Sequence, residues 1–122
     1  MNNKNNITYS KNLFGNIYTY FKNGRNVGHI ESPLEERKHV INPCSIDYLF
    51  VSENFRNQGI GTELVDHLSI ALQSKGCKTI EVTSVPNAYE FYEKNGFVPI
   101  DSWFQRKWNG LEDYSTHFKK MK

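Results

Sequence analysis

The chain has 122 residues, a length that predicts one domain over residues 1–122, and we expect residues 1–10 to be flexible. It carries 15 basic and 13 acidic side chains, which give a formal net charge of +2. The nearly balanced charge, with no basic run, argues against a protein that binds nucleic acid. No apolar run is long enough to span a membrane and the N-terminus is polar, so we expect a cytoplasmic protein without a signal peptide.

The first predicted element is a β-hairpin within residues 16–31. Residues 17–21 (IYTYF) are β-branched or aromatic, residues 23–24 (Asn-Gly) are a turn signal, and residues 27–30 begin the returning strand. A polar segment, residues 32–43, follows the hairpin, and its composition allows either a helical turn or a loop.

Residues 45–74 carry the clearest pattern in the chain. Residues 46–51 favour a β-strand, and a loop containing Gly59 and Gly61 follows. Apolar residues then recur at helical spacing, and Gly76 is a stop signal. These apolar positions are Ile60, Leu64, Val65, Leu68, Ala71 and Leu72. Glycines that let backbone N–H groups converge at the positive end of a helix predict an anion site, whose natural ligand is a phosphate or pyrophosphate.

The remainder of the chain predicts a second strand and helix and a closing hairpin. Residues 79–83 favour a strand, and Asn87 is a suitable N-cap for a short helix that ends at residues 95–96 (Asn-Gly). Residues 102–108 and 114–119 then suggest two strands around an Asn-Gly turn. The order ββ, βα, βα, ββ predicts a mixed α/β sheet with helices on its faces.

The cysteines and histidines show no metal-ligand spacing. Cys44 and Cys77 form no C-x-x-C pair, and we interpret them as free core thiols rather than a disulfide or a pair of nucleophiles. The histidines are scattered along the chain, so we expect no metal site. They are His29, His39, His67 and His117.

The residues around the glycine loop narrow the choice of phosphate ligand. A Walker-type loop needs a Lys and a Ser or Thr after its second glycine, whereas Thr62 and Glu63 follow Gly61. A dinucleotide-binding loop needs a third glycine, where this chain has Leu64. Residues 56–61 (RNQGIG) instead resemble the R/Q-x-x-G-x-G/A signature of the GCN5-related N-acetyltransferases, the GNAT superfamily.

A second motif strengthens this resemblance. Residues 87–97 (NAYEFYEKNGF) are similar to the family's later signature, N-A-x-x-F-Y-E-K-x-G-F, and they follow the strand after which the family carries it. The two motifs cover residues 45–97 closely and the flanks loosely. The resemblance implies a mixed, mostly antiparallel GNAT-like sheet with helices on both faces.

The chain departs from the family pattern near its N-terminus. The family begins with a strand and two helices before the first hairpin, but only sixteen residues precede Ile17 here. We therefore expect most of these elements to be missing. The acceptor cleft beneath them would then be open, or covered by a second subunit of a homodimer or by residues 32–43.

The resemblance implies acetyl-CoA as co-substrate and a primary amine, of a small molecule or a protein, as acceptor. Backbone N–H groups of the loop would hold the pyrophosphate, with Arg56 on the phosphate side. The strand ending at Val51 would pair with the pantetheine amides, and its last N–H would face the thioester carbonyl. Asn87 would bind this arm, cap its helix, or do both. The implied cofactor-binding residues are Leu49, Phe50, Val51, Arg56, Asn57, Gln58, Gly59, Ile60, Gly61, Thr62 and Asn87.

Tyr92 stands at the family's general-acid position, where a phenol can protonate the departing thiolate. Strand alternation puts Asp47 on the same face as Val51, which makes Asp47 the first candidate for the general base. His29 and Glu31 on the preceding strand are rivals, and a water chain without a dedicated base is a further alternative. A protein of another class, a catalytically silent module that binds acetyl-CoA for regulation or assembly, would carry the same cofactor residues.

Overall fold

The computed structural model describes residues 5–13, 15–34, 42–84, 88–101 and 116–121. These residues form a mixed α/β fold with two four-stranded sheets. In chain order the elements are β1 (Asn5–Lys11), β2 (Asn16–Lys22), β3 (Arg25–Ser32), β4 (Ser45–Ile46), β5 (Tyr48–Val51), α1 (Ile60–Ser74), β6 (Thr79–Ser84), α2 (Tyr89–Lys94), β7 (Val98–Asp101) and β8 (Thr116–Met121). The first sheet has the strand order β1-β2-β3-β5, and the second has the order β4-β6-β8-β7.

The predicted first hairpin is present as β2 and β3. The two strands pair antiparallel, with one irregularity in register after Tyr20. Asn23 and Gly24 have positive φ angles of 52° and 81°, which the central residues of a type I′ turn require. Alternation along β2 buries Tyr18 and Tyr20 on one face of the sheet.

The structure differs from the sequence-based expectation near the N-terminus. Residues 5–11 form β1, which pairs antiparallel with β2 along its whole length, instead of a flexible segment. Its side chains are mostly exposed, and its apolar alternation is limited to Ile7 and Tyr9, which is too short to predict a strand. Only four residues, 12–15, connect β1 to β2, which is too few for two helices. The first strand of the family pattern is therefore present, and the helix pair that follows it is absent.

The strand predicted over residues 46–51 is divided at Asp47. β4 pairs in parallel with β6, whereas β5 pairs antiparallel with β3, so the chain passes from one sheet to the other here. The Asp47 N–H donates to the Glu31 carbonyl at 2.8 Å. Beyond this point the far edge of β5 pairs with no strand in the described part of the chain. The prediction that one regular strand carries Asp47 and Val51 on the same face is wrong, because the strand is divided at Asp47 and regular pairing with β3 begins at Tyr48.

Helix α1 packs on the inner face of the first sheet. Its buried side chains recur three and four residues apart and lie on one stripe. The helix ends as predicted, since the Cys77 N–H donates to the Leu72 carbonyl at 3.1 Å and Gly76 has a φ of 101°. The stripe joins both sheets and α2 in one core. Its buried members are Tyr18, Tyr20, Val27, Ile30, Ile46, Ile60, Leu64, Val65, Leu68, Leu72, Ile80, Val82, Tyr92 and Phe97.

Cys44 and Cys77 form a disulfide, with their Cα atoms 5.9 Å apart, so the interpretation as free thiols is wrong. The two residues stand just before β4 and β6, and the parallel pairing of these strands brings them together. The Glu81 N–H donates to the Cys44 carbonyl at 3.0 Å beside the link. The 33-residue separation leaves no local sequence signal for this contact. The expected cytoplasmic location loses the support that free thiols gave it.

The end of the chain is described in part. β8 pairs antiparallel with both β6 and β7, and it overlaps the predicted strand over residues 114–119. The other predicted strand of the closing hairpin, residues 102–108, and the Asn-Gly turn lie outside the described residues. No helix in the described part of the chain is long and apolar enough to cross a membrane.

Candidate active site

A cleft of about 780 Å³ opens where the N-terminus of α1, the free edge of β5 and α2 meet. It contains Tyr92, the predicted general acid, and most of the residues predicted to bind the cofactor. Those cofactor residues are Leu49, Phe50, Val51, Arg56, Asn57, Gly59, Ile60, Gly61 and Thr62. The first motif and the second motif, far apart in sequence, therefore form opposite walls of one site.

The N-terminus of α1 presents backbone N–H groups to the cleft. No side chain caps this end, and the first intrahelical bond runs from the Glu63 N–H to the Gly59 carbonyl at 3.0 Å. The N–H groups of Ile60, Gly61 and Thr62 therefore point out of the helix, and all three residues line the cleft. Gly59 turns the chain into the helix with a φ of 85°, which few other residues adopt. The converging N–H groups and the positive helix end form an anion site.

Gly61 leaves space for a ring of α2. A Cβ atom at this position would lie 3.1 Å from Phe91 Cε1 and 3.2 Å from Phe91 Cζ. The ring of Phe91, on α2, therefore lies directly against the first turn of α1 and forms part of the cleft wall. The missing side chain at Gly61 lets α2 come close to the anion site.

The free edge of β5 offers a row of hydrogen-bonding groups. The Ser52 N–H donates to a β3 carbonyl at 2.8 Å. Because peptide groups alternate between the two edges of a strand, those of Leu49 and Val51 point away from β3, toward the cleft. In agreement, the Val51 carbonyl accepts a hydrogen bond from Arg56 Nε at 2.9 Å. The peptide groups of Phe50 point to β3, so Phe50 contributes only its side chain to the cleft.

Cationic side chains stand around the anion site. Arg56 lines the cleft beside the helix N-terminus. Lys22 Nζ donates to Gln58 Oε1 at 2.8 Å, which turns the Gln58 side chain toward β2, and Gln58 does not line the cleft. Lys22 and Arg25 lie 5.9 Å and 5.8 Å from the centre of the Phe55 ring, which does line it. Lys94 also lines the cleft, as does one carboxylate, Glu90. Together, the cations in and beside the cleft outnumber this carboxylate, and the positive charge favours a polyanionic ligand.

Tyr92 is only 5% exposed and faces the cleft from α2. Its ring packs edge-on against Phe91 and Phe97, with ring centres 5.0 Å and 5.2 Å away. Burial raises the pKa of Tyr92 to about 12, because the phenolate would lose its hydration. The phenol therefore stays protonated across the physiological pH range, as a hydrogen-bond donor and a weak acid.

Asp47, the predicted general base, is not among the residues that line the cleft. It is exposed at the crossing between the sheets. Its rivals His29 and Glu31 lie on the outer side of the first sheet, where His29 Nε2 is 3.1 Å from Glu31 Oε2. Asn87 lies outside the described residues, and Ala88 occupies the N-cap position of α2 that was predicted for it.

Some cleft residues were missed by sequence reasoning. On α2 these are Ala88, Glu90, Phe91, Lys94 and Asn95, which line the cleft together with the predicted Tyr92. They fall within the second motif, residues 87–97, which could have found them. Lys22 and Arg25 gave no such signal, because the fold brings the hairpin turn to the glycine loop. Within the described residues no group of three or more His, Cys, Asp or Glu side chains could hold a metal ion.

Comparison with known proteins gives a family for this arrangement. Residues 8–116 match the family model of the acetyltransferase (GNAT) domain. No curated protein matches the chain. Similar solved structures include a GCN5-related N-acetyltransferase of Rhodopseudomonas palustris, with 24% identity and a TM-score of 0.68, covering 87% of this chain and 61% of that chain.

Two further structures were determined with ligands. A GNAT family acetyltransferase of Elizabethkingia anophelis with acetyl-CoA bound has 20% identity and a TM-score of 0.68, covering 88% of this chain and 76% of that one. An N-acetyltransferase of Thermoplasma acidophilum in complex with coenzyme A has 17% identity and a TM-score of 0.68, covering 87% and 60%. This chain therefore spans 60% to 76% of the length of these three proteins, and at these identities the likeness establishes the fold.

Proposed function

Because the chain belongs to the GNAT acetyltransferase family, we propose that it transfers an acetyl group from acetyl-CoA to a primary amine. The observation that carries this proposal is the meeting of an uncapped helix N-terminus and a free strand edge in one cleft. The helix end suits a pyrophosphate, and the strand edge suits the amides of a pantetheine arm. Tyr92 adds a protonated phenol to the same cleft.

In this proposal the backbone binds most of the co-substrate. The N–H groups of residues 60–62 hold the pyrophosphate, and Arg56 and Lys22 add positive charge. The outward N–H and carbonyl of Leu49 pair with the pantetheine arm, since the Val51 carbonyl already accepts from Arg56 Nε. The Val51 N–H donates to the thioester carbonyl oxygen, where negative charge develops as the amine attacks. These groups are already oriented by the helix and the strand, so binding requires little rearrangement.

The reaction forms a C–N bond, breaks the C–S bond, and moves one proton off the amine and one onto sulfur. A thiol has a pKa of about 8.5, so a Tyr92 phenol with a pKa of about 12 does not readily give its proton to the thiolate. We therefore assign Tyr92 a hydrogen bond to the departing sulfur, and the proton that the attacking nitrogen loses reaches the sulfur through water. Because Asp47 lies outside the cleft, water also takes the amine proton in this scheme.

Calorimetric titration of the protein with acetyl-CoA, with ATP and NAD as control ligands, tests the binding step. We expect micromolar binding of acetyl-CoA alone, followed by thiol release when primary amines are added. Failure to bind acetyl-CoA would refute the proposal at its first step. Binding without thiol release across amine panels, polyamines and lysine peptides would refute the transferase activity.

The alternative is a module that binds acetyl-CoA without turning it over. Two observations favour it, namely the weak acidity of Tyr92 and the absence of Asp47 from the cleft. A Tyr92→Phe variant separates the two functions. For an enzyme we expect transfer to fall more than tenfold with acetyl-CoA affinity little changed. A pure binder would show no transfer in either protein.

A further inference from the structure

The outer face of the first sheet is the side opposite α1. The short connection over residues 12–15 leaves no helix there among the described residues. On β3 and β5 this face carries four side chains, which we call the outer patch. They are His29, Glu31, Tyr48 and Phe50. Their neighbours in the same strands, among them Ile30 and Leu49, point to the inner face.

The outer patch combines aromatic rings with a carboxylate. His29 stands opposite Phe50 and Glu31 opposite Tyr48 in the paired strands. The His29 ring lies 5.4 Å from the Tyr48 ring and 5.9 Å from the Phe50 ring, centre to centre. Tyr48 is 52% exposed and Phe50 is 38% exposed, while Glu31 Oε2 lies 3.1 Å from His29 Nε2. Exposed aromatic faces beside a carboxylate are a suitable surface for an organic cation.

The patch is continuous with the cleft. Phe50 belongs to both, because the residue lines the cleft and its side chain lies on the outer face. The anion site at the N-terminus of α1 lies on the inner side of the same sheet. An acceptor that crosses the outer patch therefore reaches the edge of β5 from the side opposite the phosphates.

We propose that the outer patch binds a second positive charge of the acceptor, so that the preferred substrate is an amine with two cationic groups. The inference rests on the proposed function, since it specifies the acceptor of that reaction. The reacting amine lies near the Val51 N–H, and the second cation lies over Tyr48 beside Glu31. Three strand residues separate these positions, which at about 3.3 Å per residue is about 10 Å. A polyamine, or a peptide with two lysines, offers this chemistry.

The test compares acceptors that differ by one charge. α,ω-Diamines of increasing length are each matched with the monoamine of equal length, and a peptide with two lysines is matched with a peptide with one. We expect kcat/KM to be about tenfold higher for the dication, the size of a cation–aromatic contact plus an exposed ion pair. The preference should peak where the two nitrogens are about 10 Å apart. A peak in the diamine series would identify a small-molecule acceptor, and a preference in the peptide series would identify a protein acceptor.

Substitutions in the outer patch test whether it causes the preference for acceptors with two charges. Glu31→Gln removes the charge but can still hydrogen-bond His29, and Tyr48→Leu removes the aromatic face, so each should lower the dication preference severalfold. Tyr48→Phe should restore it, because the ring is kept. The controls are Tyr9→Leu, at a tyrosine with 51% exposure on β1, and Asp66→Asn, at an exposed carboxylate of α1. Neither control should change the preference.

A binding measurement keeps the inference separate from the proposed function. Titration of the coenzyme A-saturated protein with each diamine and its monoamine, followed by NMR, reports acceptor binding without turnover. If no acetyl transfer occurs but diamines still bind more tightly and Glu31→Gln removes the difference, the proposed function fails and the patch assignment stands. Equal affinity and equal kcat/KM for one and two charges, or a preference that survives Glu31→Gln and Tyr48→Leu, would overturn the inference.

Discussion

Removing the Tyr92 hydroxyl should change how stability depends on alkaline pH. Burial raises the folded-state pKa to about 12 from the ordinary value of 10.0 that the unfolded chain keeps. Below pH 10 the phenol is protonated in both states, so the stability that burial gives the neutral form is fully present. Above pH 10 the unfolded chain releases its proton first, and the free energy of unfolding falls until the folded protein titrates near pH 12.

The magnitude follows from the size of the shift. Two pKa units correspond to about 2.7 kcal/mol in full, of which about 1.4 kcal/mol is lost by pH 11. The assay is urea unfolding of the wild type and of Tyr92→Phe at pH 8 and at pH 11. Burial also raises the pKa values of Tyr18 and Tyr20, but both remain in the variant and their contribution cancels. The wild type should lose about 1.4 kcal/mol more than Tyr92→Phe between the two pH values.

An equal loss in the two proteins would refute this reasoning. It would mean that Tyr92 is hydrated well enough for its phenolate to form near the ordinary pKa. The same outcome would remove the reason for giving Tyr92 a hydrogen-bonding role, because a phenol of ordinary acidity could transfer its proton to the thiolate.

Three further predictions test the anion site and the disulfide. Gly59→Ala and Gly76→Ala each place a Cβ in open space at a left-handed φ, so each should lower the free energy of unfolding by about 1 kcal/mol. Only Gly59→Ala should also weaken acetyl-CoA binding, measured by calorimetry. Equal acetyl-CoA affinities of the two variants would show that Gly59 is not part of the binding site. Lys22→Ala should raise the acetyl-CoA Kd severalfold at low salt and have little effect at high salt, and an effect independent of salt would contradict a charge role. Replacing Cys44 and Cys77 by serine should lower the free energy of unfolding by about 3 to 4 kcal/mol, from a closed loop of 33 residues; unchanged stability would contradict the link.

The elements that could be predicted from sequence depend on local chemistry. The stripe from Ile60 to Leu72 requires only the helical repeat, and the first hairpin requires only β-favouring residues around Asn23-Gly24. β1 escaped prediction because Ile7 and Tyr9 are its only apolar residues and backbone pairing to β2 holds the rest of the strand. Two alternating positions are too few to distinguish a strand from a loop.

Features that depend on pairing across the chain could not be read from sequence. The division at Asp47 arises because one sheet takes the residues before it and the other takes those after it. The disulfide follows from the parallel pairing of β4 and β6, which places Cys44 beside Cys77. In the site, the glycine loop was predictable from its motif, whereas Lys22 reached it through the fold of the hairpin.

The lost helix pair and the divided strand have one joint consequence for specificity. The anion site lies at the N-terminus of α1 on the inner side of the first sheet, while the outer patch, with Glu31 and Tyr48, lies on the opposite side. In the described part of the chain the two sides meet at the free edge of β5, where Val51 presents its N–H group. Substitutions in the outer patch should therefore change KM for the acceptor without changing the affinity for acetyl-CoA, and substitutions at the helix end should do the reverse. Acceptor choice can then change while the cofactor site stays intact, because Phe50 is shared but His29, Glu31 and Tyr48 of the outer patch do not line the cleft.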